Sequence, residues 1–241
     1  MKSKLRVLRP YARLYLSALF CSVSPVLAGG LQIAPVSLTL QAMQNADGIW
    51  LSNEGGTPLH AQVRVWRWTQ SGFSDKLSSA QGLVISPPML VLAPGEKQLV
   101  RVIRTVPTTP NAEASWRLSI DELPPGIREN NRLQFVMRYS VPVFTQPAGL
   151  VDAAPKLQWR VVEADGKAFF EVKNQGNIHA QLAQATLVKD DGRRKIITPG
   201  LMGYVLPGST MRWVIPVNAG DVQRGGKVEV MINGQKTVQH L

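Results

Sequence analysis

Short apolar or alternating runs recur along the chain, and turn signals rich in Gly, Pro and Asn separate them. Few segments show the helical period of about 3.6 residues. Runs of this length at this spacing are typical of the strands of an all-β sandwich. The predicted strands are 36–40, 48–52, 60–68, 83–85, 98–103, 115–120, 133–143, 157–162, 168–172, 181–187, 211–216 and 227–232.

The composition changes at 145–155, which reads TQPAGLVDAAP. Pro147, Gly149 and Pro155 interrupt strand pairing there. The 241 residues are enough for a leader and two domains of about 100 residues each. We therefore predict a leader at 1–28 and two β-sandwich domains at 29–148 and 149–241.

The first 28 residues have the three parts of a secretory signal peptide. Five basic residues precede an apolar run at 14–27, and Ala28 ends a small-residue cleavage site. Ser22, Ser24 and Pro25 interrupt the run, which is too short for a membrane span of about 20 apolar residues. The only cysteine, Cys21, lies in this leader, so the secreted chain must fold without disulfides in an oxidising compartment.

The formal net charge of +11 overstates the basic character of the secreted part. Five of the 27 Lys and Arg residues lie in the leader, which leaves +6 for the rest. Those basic residues are scattered, as on a solvated surface, and no dense basic run indicates nucleic-acid binding.

No motif for catalysis or metal binding appears in the sequence. His60, His179 and His240 have no metal-site spacing. A nucleophile elbow, a phosphate loop and a dinucleotide fingerprint are all absent from the sequence. A carboxylate pair of the glycosidase kind is neither favoured nor excluded. We predict a protein that is not an enzyme and that holds no cofactor or metal.

One predicted strand, 133–141, places Leu133, Phe135, Met137, Tyr139 and Val141 on one face. Alternation of this kind favours an ordinary strand whose apolar face lies in its own core. A strand that binds a partner would show the same pattern. The residues alone leave both interpretations open.

An ordered set of motifs carries a family resemblance. The set comprises GLVISPPMLVLAPGEKQLVRV from Gly82, DELPP from Asp121, LQF from Leu133, YSVPVF from Tyr139, VLPGSTMRW from Val205 and MING from Met231. It resembles the periplasmic pilus-assembly chaperones of the chaperone–usher pathway over nearly the whole secreted chain. The form RYSVPVF resembles the archaic-type branch of that family.

The resemblance implies two immunoglobulin-like sandwiches with a cleft between them. It also implies a donated edge strand, which completes a pilus subunit that lacks its last strand until an outer-membrane usher receives the subunit. Leu133, Phe135, Met137 and Tyr139 would insert into the subunit groove. The implied protein is periplasmic, is not embedded in a membrane, and is expected to self-associate when its apolar edge is uncovered.

The main alternative is a secreted structural or adhesive β-sandwich protein. Such a protein would account for the leader and the strand pattern, but not for the ordered Pro-Pro and Pro-Gly motifs. An enzyme on a β-sandwich is a third hypothesis, and it lacks a site constellation.

Most relatives hold the subunit's C-terminal carboxylate with two basic residues, and the matching positions here are Ser37 and Pro142. Neither is charged, so the resemblance leaves this anchor open. Arg104 and Arg117 are the predicted replacements, since a charge-assisted hydrogen bond fixes register. Alternatively, both are ordinary solvated arginines.

The resemblance further implies a buried ionic cluster that ties the two domains together. Arg101, Glu113 and Asp221 match three of its positions, and Gln146 occupies a fourth. We predict that these residues fix the interdomain angle and do no chemistry.

Overall fold

The computed structural model describes residues 30–107, 111–124, 136–149, 152–216 and 226–241. These residues form strands and no helix, which confirms the all-β prediction. The first ten strands are β1 (Leu31–Ala34), β2 (Leu38–Leu40), β3 (Ala46–Asn53), β4 (Leu59–Ser71), β5 (Ser74–Ser79), β6 (Leu83–Ser86), β7 (Met89–Leu92), β8 (Lys97–Arg104), β9 (Ala114–Leu123) and β10 (Arg138–Thr145). The remainder are β11 (Leu157–Ala164), β12 (Lys167–Asn174), β13 (Ala180–Val188), β14 (Arg194–Ile196), β15 (Leu201–Val205), β16 (Thr210–Ile215), β17 (Lys227–Ile232) and β18 (Gln235–His240).

The strands form two sandwiches. In the first, the sheet β1-β3-β8-β6 faces the sheet β2-β10-β9-β4-β5, and β7 pairs with β4. In the second, the sheet β11-β12-β16 faces the sheet β14-β13-β17-β18, and β15 pairs with β13. The predicted architecture of two immunoglobulin-like sandwiches agrees with this arrangement.

Alternation along the strands builds one core in each sandwich. In β3, Ile49 and Leu51 are buried while Trp50 between them is exposed, as the two-residue period requires. Phe170 and Val172 are the corresponding fully buried pair in β12. Strands β5 and β18 were not predicted, because they are rich in polar residues, and strands β1 and β7 were not predicted, because each has only four residues and adjoins a turn with proline.

A buried asparagine closes one end of the first sandwich. Asn53 donates from Nδ2 to the carbonyl oxygens of Thr57 (2.8 Å) and Leu92 (3.0 Å). Its Oδ1 accepts a hydrogen bond from the Gly55 amide at 2.9 Å. The side chain thereby satisfies three backbone groups in two loops that no strand partner reaches.

The second sandwich has a buried asparagine with the same set of hydrogen bonds. Asn174 donates to the carbonyl oxygens of Ile178 (2.8 Å) and Val205 (3.0 Å). Its Oδ1 accepts from the Gly176 amide at 2.9 Å. The shared arrangement indicates that each sandwich depends on one asparagine at the same structural place.

The β4–β5 hairpin of the first sandwich reaches the second. Gln70 Nε2 donates to the Tyr204 carbonyl oxygen at 2.9 Å, and the Leu206 amide donates to Gln70 Oε1 at 2.9 Å. At the hairpin tip, Phe73 bridges to Met211 and lies 3.8 Å from the guanidinium carbon of Arg212. These contacts hold the two sandwiches in a defined orientation.

We expect Asn174→Ala to lower the free energy of unfolding of the second sandwich by about 2–4 kcal/mol, because two buried carbonyl groups lose their donor. Gln158→Ala, at an exposed position of β11, is the control and should change it by less than about 0.5 kcal/mol. Scanning calorimetry measures both variants. An equal free energy of unfolding in the Asn174→Ala and Gln158→Ala variants would contradict the role of Asn174.

We expect Gln70→Ala to loosen the orientation of the sandwiches without unfolding either, because the Tyr204 carbonyl and the Leu206 amide lose their partner. Spin labels at Glu54→Cys and Gln158→Cys would report a broader distance distribution than in the parent protein. Gln62→Ala, on the same strand, is the control and should leave the distribution narrow. A narrow distribution in Gln70→Ala would overturn this assignment.

Candidate functional site

The strand β10 pairs unequally on its two sides. Its whole length, Arg138–Thr145, pairs with β9 in antiparallel register. On the other side, β2 pairs in parallel with only the last three residues, 143–145. Among the described residues, the edge of β10 from 138 to 142 therefore has no strand partner.

The hydrogen-bond register decides which backbone groups lie on this open edge. The Glu122 amide donates to the Met137 carbonyl oxygen at 2.9 Å, so residue 137 and every second residue after it bond to β9. The groups of Arg138, Ser140 and Pro142 then point outward. Because Pro142 has no N–H, the open edge ends there with a carbonyl group alone.

The side chains that alternate along β10 have different environments. Val141 and Val143 are buried in the core of the first sandwich. Tyr139 also packs against that core, and its hydroxyl donates to the Leu31 carbonyl oxygen at 2.6 Å. Met137 is 45% exposed. The apolar face of one strand thus passes from the core to solvent between residues 139 and 137.

The predicted donor residues differ in their surroundings. Tyr139 is held by its own sandwich, because its ring and its hydroxyl both have partners there. Leu133 and Phe135 lie outside the described residues. The residues that stay in the predicted set are Leu133, Phe135 and Met137.

A charge cluster fixes the beginning of β10. Arg138 forms an ion pair with Asp121, its cross-strand neighbour, and Arg64 Nη2 lies 2.6 Å from the same carboxylate. Burial alone would raise the pKa of Asp121, but hydrogen bonds from the two arginines outweigh it and lower that pKa. Asp121 therefore stays ionised, and it holds Arg138 on the face opposite Met137.

Arg117 lies directly across the ladder from Pro142. Its guanidinium carbon is 3.7 Å from the Trp68 ring centroid and 5.2 Å from that of Tyr204. Its Nη2 is 4.0 Å from an oxygen of Asp75, and burial lowers the pKa of Arg117. A cation thus lies where the open edge ends, between the two sandwiches.

Arg104 has different surroundings. Its Nη2 donates to the Ala42 carbonyl oxygen at 2.8 Å and to Asn45 Oδ1 at 3.0 Å, both in the first sandwich. The structure therefore separates the two predicted anchor residues, and only Arg117 joins the contact between the sandwiches. Ser37 is exposed and Pro142 is buried.

The contact between the sandwiches has an apolar centre that the sequence did not reveal. Four buried residues form it, two from each sandwich, and they are Trp68, Phe144, Tyr204 and Leu206. His179 stacks on the Phe144 ring, with centroids 3.6 Å apart. No sequence signal marks this cluster, because its members come from segments that are far apart in the chain.

The residues of the predicted ionic cluster have different surroundings. Glu113 is buried, and its Oε1 lies 2.8 Å from His179 Nδ1 and 3.2 Å from the His179 amide nitrogen that donates to it. Arg101 is exposed on β8 and has no ion-pair partner in the described part of the chain. Asp221 lies outside the described residues. Of the three, Glu113 alone is seen at the contact, and its partner is His179.

Within the described ranges, no three His, Asp or Glu side chains converge as a metal site. No helix of the same part of the chain could span a membrane.

Comparison with known proteins identifies the family. Residues 30–151 match the family described as pili and flagellar-assembly chaperone, PapD N-terminal domain. The chain is 25% identical over 224 residues to the chaperone protein PmfD of Proteus mirabilis (strain HI4320), which covers 87% of this chain and 84% of that protein.

Solved structures agree with this match. One is the CsuC–CsuE chaperone–tip adhesion subunit pre-assembly complex from the archaic chaperone–usher Csu pili of Acinetobacter baumannii, with a TM-score of 0.69, 28% identity, and coverage of 87% of this chain and 97% of that one. Another is the Salmonella enterica SafA pilin in complex with the SafB chaperone, with a TM-score of 0.63, 19% identity, and coverage of 88% and 95%. The second likeness concerns the fold alone. Because the family match spans half of the chain and includes every strand of the first sandwich, this chain belongs to the family of pili and flagellar-assembly chaperones.

Proposed function

We propose that this protein is a periplasmic chaperone that binds pilus subunits by donor-strand complementation and delivers them to an outer-membrane usher. The open edge of β10 from Arg138 to Pro142 is the observation that carries the proposal. Unpaired N–H and C=O groups in a row are a template for another strand. A subunit that lacks one strand would satisfy them by β-augmentation.

The donated side chains would be Leu133, Phe135 and Met137. Each apolar side chain that becomes fully buried in a subunit groove contributes about 1.5–3 kcal/mol. Main-chain hydrogen bonds to Arg138 and Ser140 would add affinity that does not depend on the subunit's sequence. The complex of CsuC with CsuE supports a subunit as the partner.

The leader at 1–28 supports secretion across the inner membrane, and the family supports a periplasmic location. Nothing in the site suggests catalysis, since its charged groups are paired or packed on aromatic rings. The alternative, a secreted structural or adhesive sandwich, is not favoured, because the family match is to chaperones.

Arg117 is the proposed anchor for the subunit's C-terminal carboxylate. It lies across from Pro142, where main-chain pairing on the open edge must stop. A carboxylate at the end of a docked strand would meet a guanidinium there whose ionic contact, to Asp75, spans 4.0 Å. Arg104 is the less suitable candidate, because its hydrogen bonds lie in the first sandwich alone.

Glu113 and His179 would set the angle of the cleft. Glu113 belongs to the first sandwich and His179 to the second, and their contact lies beside the Phe144 ring. A fixed angle would keep Arg117 at a constant distance from the open edge, which is the condition for register.

The double substitution Phe135→Arg with Met137→Arg should leave the fold and the melting temperature unchanged while lowering soluble subunit recovery at least tenfold. Two charges cannot enter an apolar groove without a large desolvation cost. The measurement is co-purification of a co-expressed pilus subunit from the periplasm. Val136→Arg, at a position that is 50% exposed, is the matched control and should retain the subunit. Normal subunit recovery with the double variant would contradict the proposal.

Arg117→Gln should remove the preference of the protein for subunit peptides that end in a free carboxylate. The measurement is titration with two synthetic peptides that carry a subunit's C-terminal sequence, one with a free carboxylate and one amidated. We expect the parent protein to bind the carboxylate form about tenfold more tightly, equivalent to about 1.4 kcal/mol, and Arg117→Gln to bind both forms equally.

Two further variants complete this test. Arg117→Lys keeps the charge and should keep part of the preference, whereas Arg104→Gln should keep all of it. Loss of the preference in Arg104→Gln, with retention in Arg117→Gln, would transfer the anchor to Arg104.

A further inference from the structure

A cavity of about 530 Å³ lies in the first sandwich, away from the open edge of β10. Two arginines, Arg67 and Arg104, line it together with the hydroxyl groups of Ser78, Ser79 and Thr145. The cavity is separate from the cleft, because Arg67 pairs with Trp116 whereas Arg117 is the next residue along and faces the other side of the sheet.

Arg67 has a hydrogen bond and a ring contact, but it has no carboxylate partner among the described residues. Its Nη1 donates to the Ser115 carbonyl oxygen at 2.8 Å, and its guanidinium carbon is 4.7 Å from the Trp116 ring centroid. Burial lowers the pKa of Arg67, since a guanidinium out of water loses hydration. A nearby anion would compensate for that loss.

Arg104 retains donor capacity that the protein does not use. Its Nη2 donates to Ala42 and Asn45, while its Nη1 is buried and has no hydrogen-bond partner in the part of the chain that the structure describes. A buried donor without a partner is costly and calls for an explanation. An acceptor bound against this guanidinium would supply one.

The charges of the cavity are uncompensated within the described part of the chain. Its described lining residues include two guanidinium groups and no Asp or Glu. Neither Arg67 nor Arg104 forms an ion pair with a described residue. Guanidinium forks and hydroxyl groups are the donors that proteins use for carboxylate and phosphate oxygens.

We propose that this cavity binds a small organic anion through a carboxylate or phosphate group held by Arg67 and Arg104. Its volume falls in the range of about 300–1,000 Å³ that is usual for small-molecule sites. The proposal is independent of the donated strand and of the proposed anchor, because neither Met137 nor Arg117 is among the described residues that line the cavity.

The test uses inorganic phosphate and citrate as probes, with sodium chloride at matched ionic strength as the salt control. A ligand that binds only the folded state raises the melting temperature. We expect phosphate or citrate to raise it beyond the chloride control, and calorimetric titration to give the dissociation constant. The two probes distinguish a phosphate site from a carboxylate site.

Arg104→Gln should raise the dissociation constant of the effective probe at least tenfold. Arg101→Gln is the matched control, because Arg101 lies on the same strand, is exposed and does not line the cavity. It should bind as the parent protein does. Equal losses in the two variants, or no effect of either probe on the parent protein, would overturn the proposal.

Ser79→Asp provides a test that does not remove a hydrogen bond. Ser79 is exposed and lines the cavity, so the new carboxylate would act as an internal counter-ion while the fold is kept. We expect this variant to lose the response to the probe. An undiminished response in Ser79→Asp would overturn the proposal even if Arg104→Gln failed to fold.

Discussion

The strand β10 pairs with two strands, β9 and β2, over its last three residues, but with β9 alone over the residues before them. The proposed subunit-binding site depends on this difference in pairing. It arises because the chain from β1 to β2 moves from one sheet to the other, so that β2 covers β10 only over residues 143–145. The groups of Arg138 and Ser140 are left without a strand partner, while Pro142 closes the open segment with a residue that cannot donate. An open edge of this kind can pair with a strand of another chain. The short length of the edge and the charge of Arg138 limit nonspecific pairing.

The second sandwich gives this edge a fixed counterpart. Gln70 joins the sandwiches through two backbone groups, and Glu113 joins them through His179. Between these contacts lies the cluster of Trp68, Phe144, Tyr204 and Leu206, with Arg117 stacked at its margin. Because Arg117 contacts rings from both sandwiches, its position depends on their relative orientation. Anchoring of a carboxylate and closure of the cleft would therefore be energetically linked.

The sequence was sufficient for the class of fold, since the alternation in strands such as β3 and β12 reports directly on burial. It was not sufficient for Tyr139, because one alternating face runs from the home core to solvent and the period does not mark where the sandwich ends. The exposure of Arg101 was not predictable for a related reason, as an arginine on a strand gives no sign of which face meets the other domain. His179 depends on Glu113, and Asn53 and Asn174 each reach one carbonyl group far away in the chain, at Leu92 and Val205, which no local pattern encodes.

Hydrogen exchange at the backbone of β10 tests the central claim most directly. In the free monomeric protein, the amides of Tyr139 and Val141 should be protected by β9, whereas the Ser140 amide should exchange rapidly because it points to the open edge. Addition of a pilus subunit should protect Ser140 and leave the other two unchanged. A Ser140 amide that is already protected in the free monomer, or that stays unprotected in a subunit complex, would contradict the account.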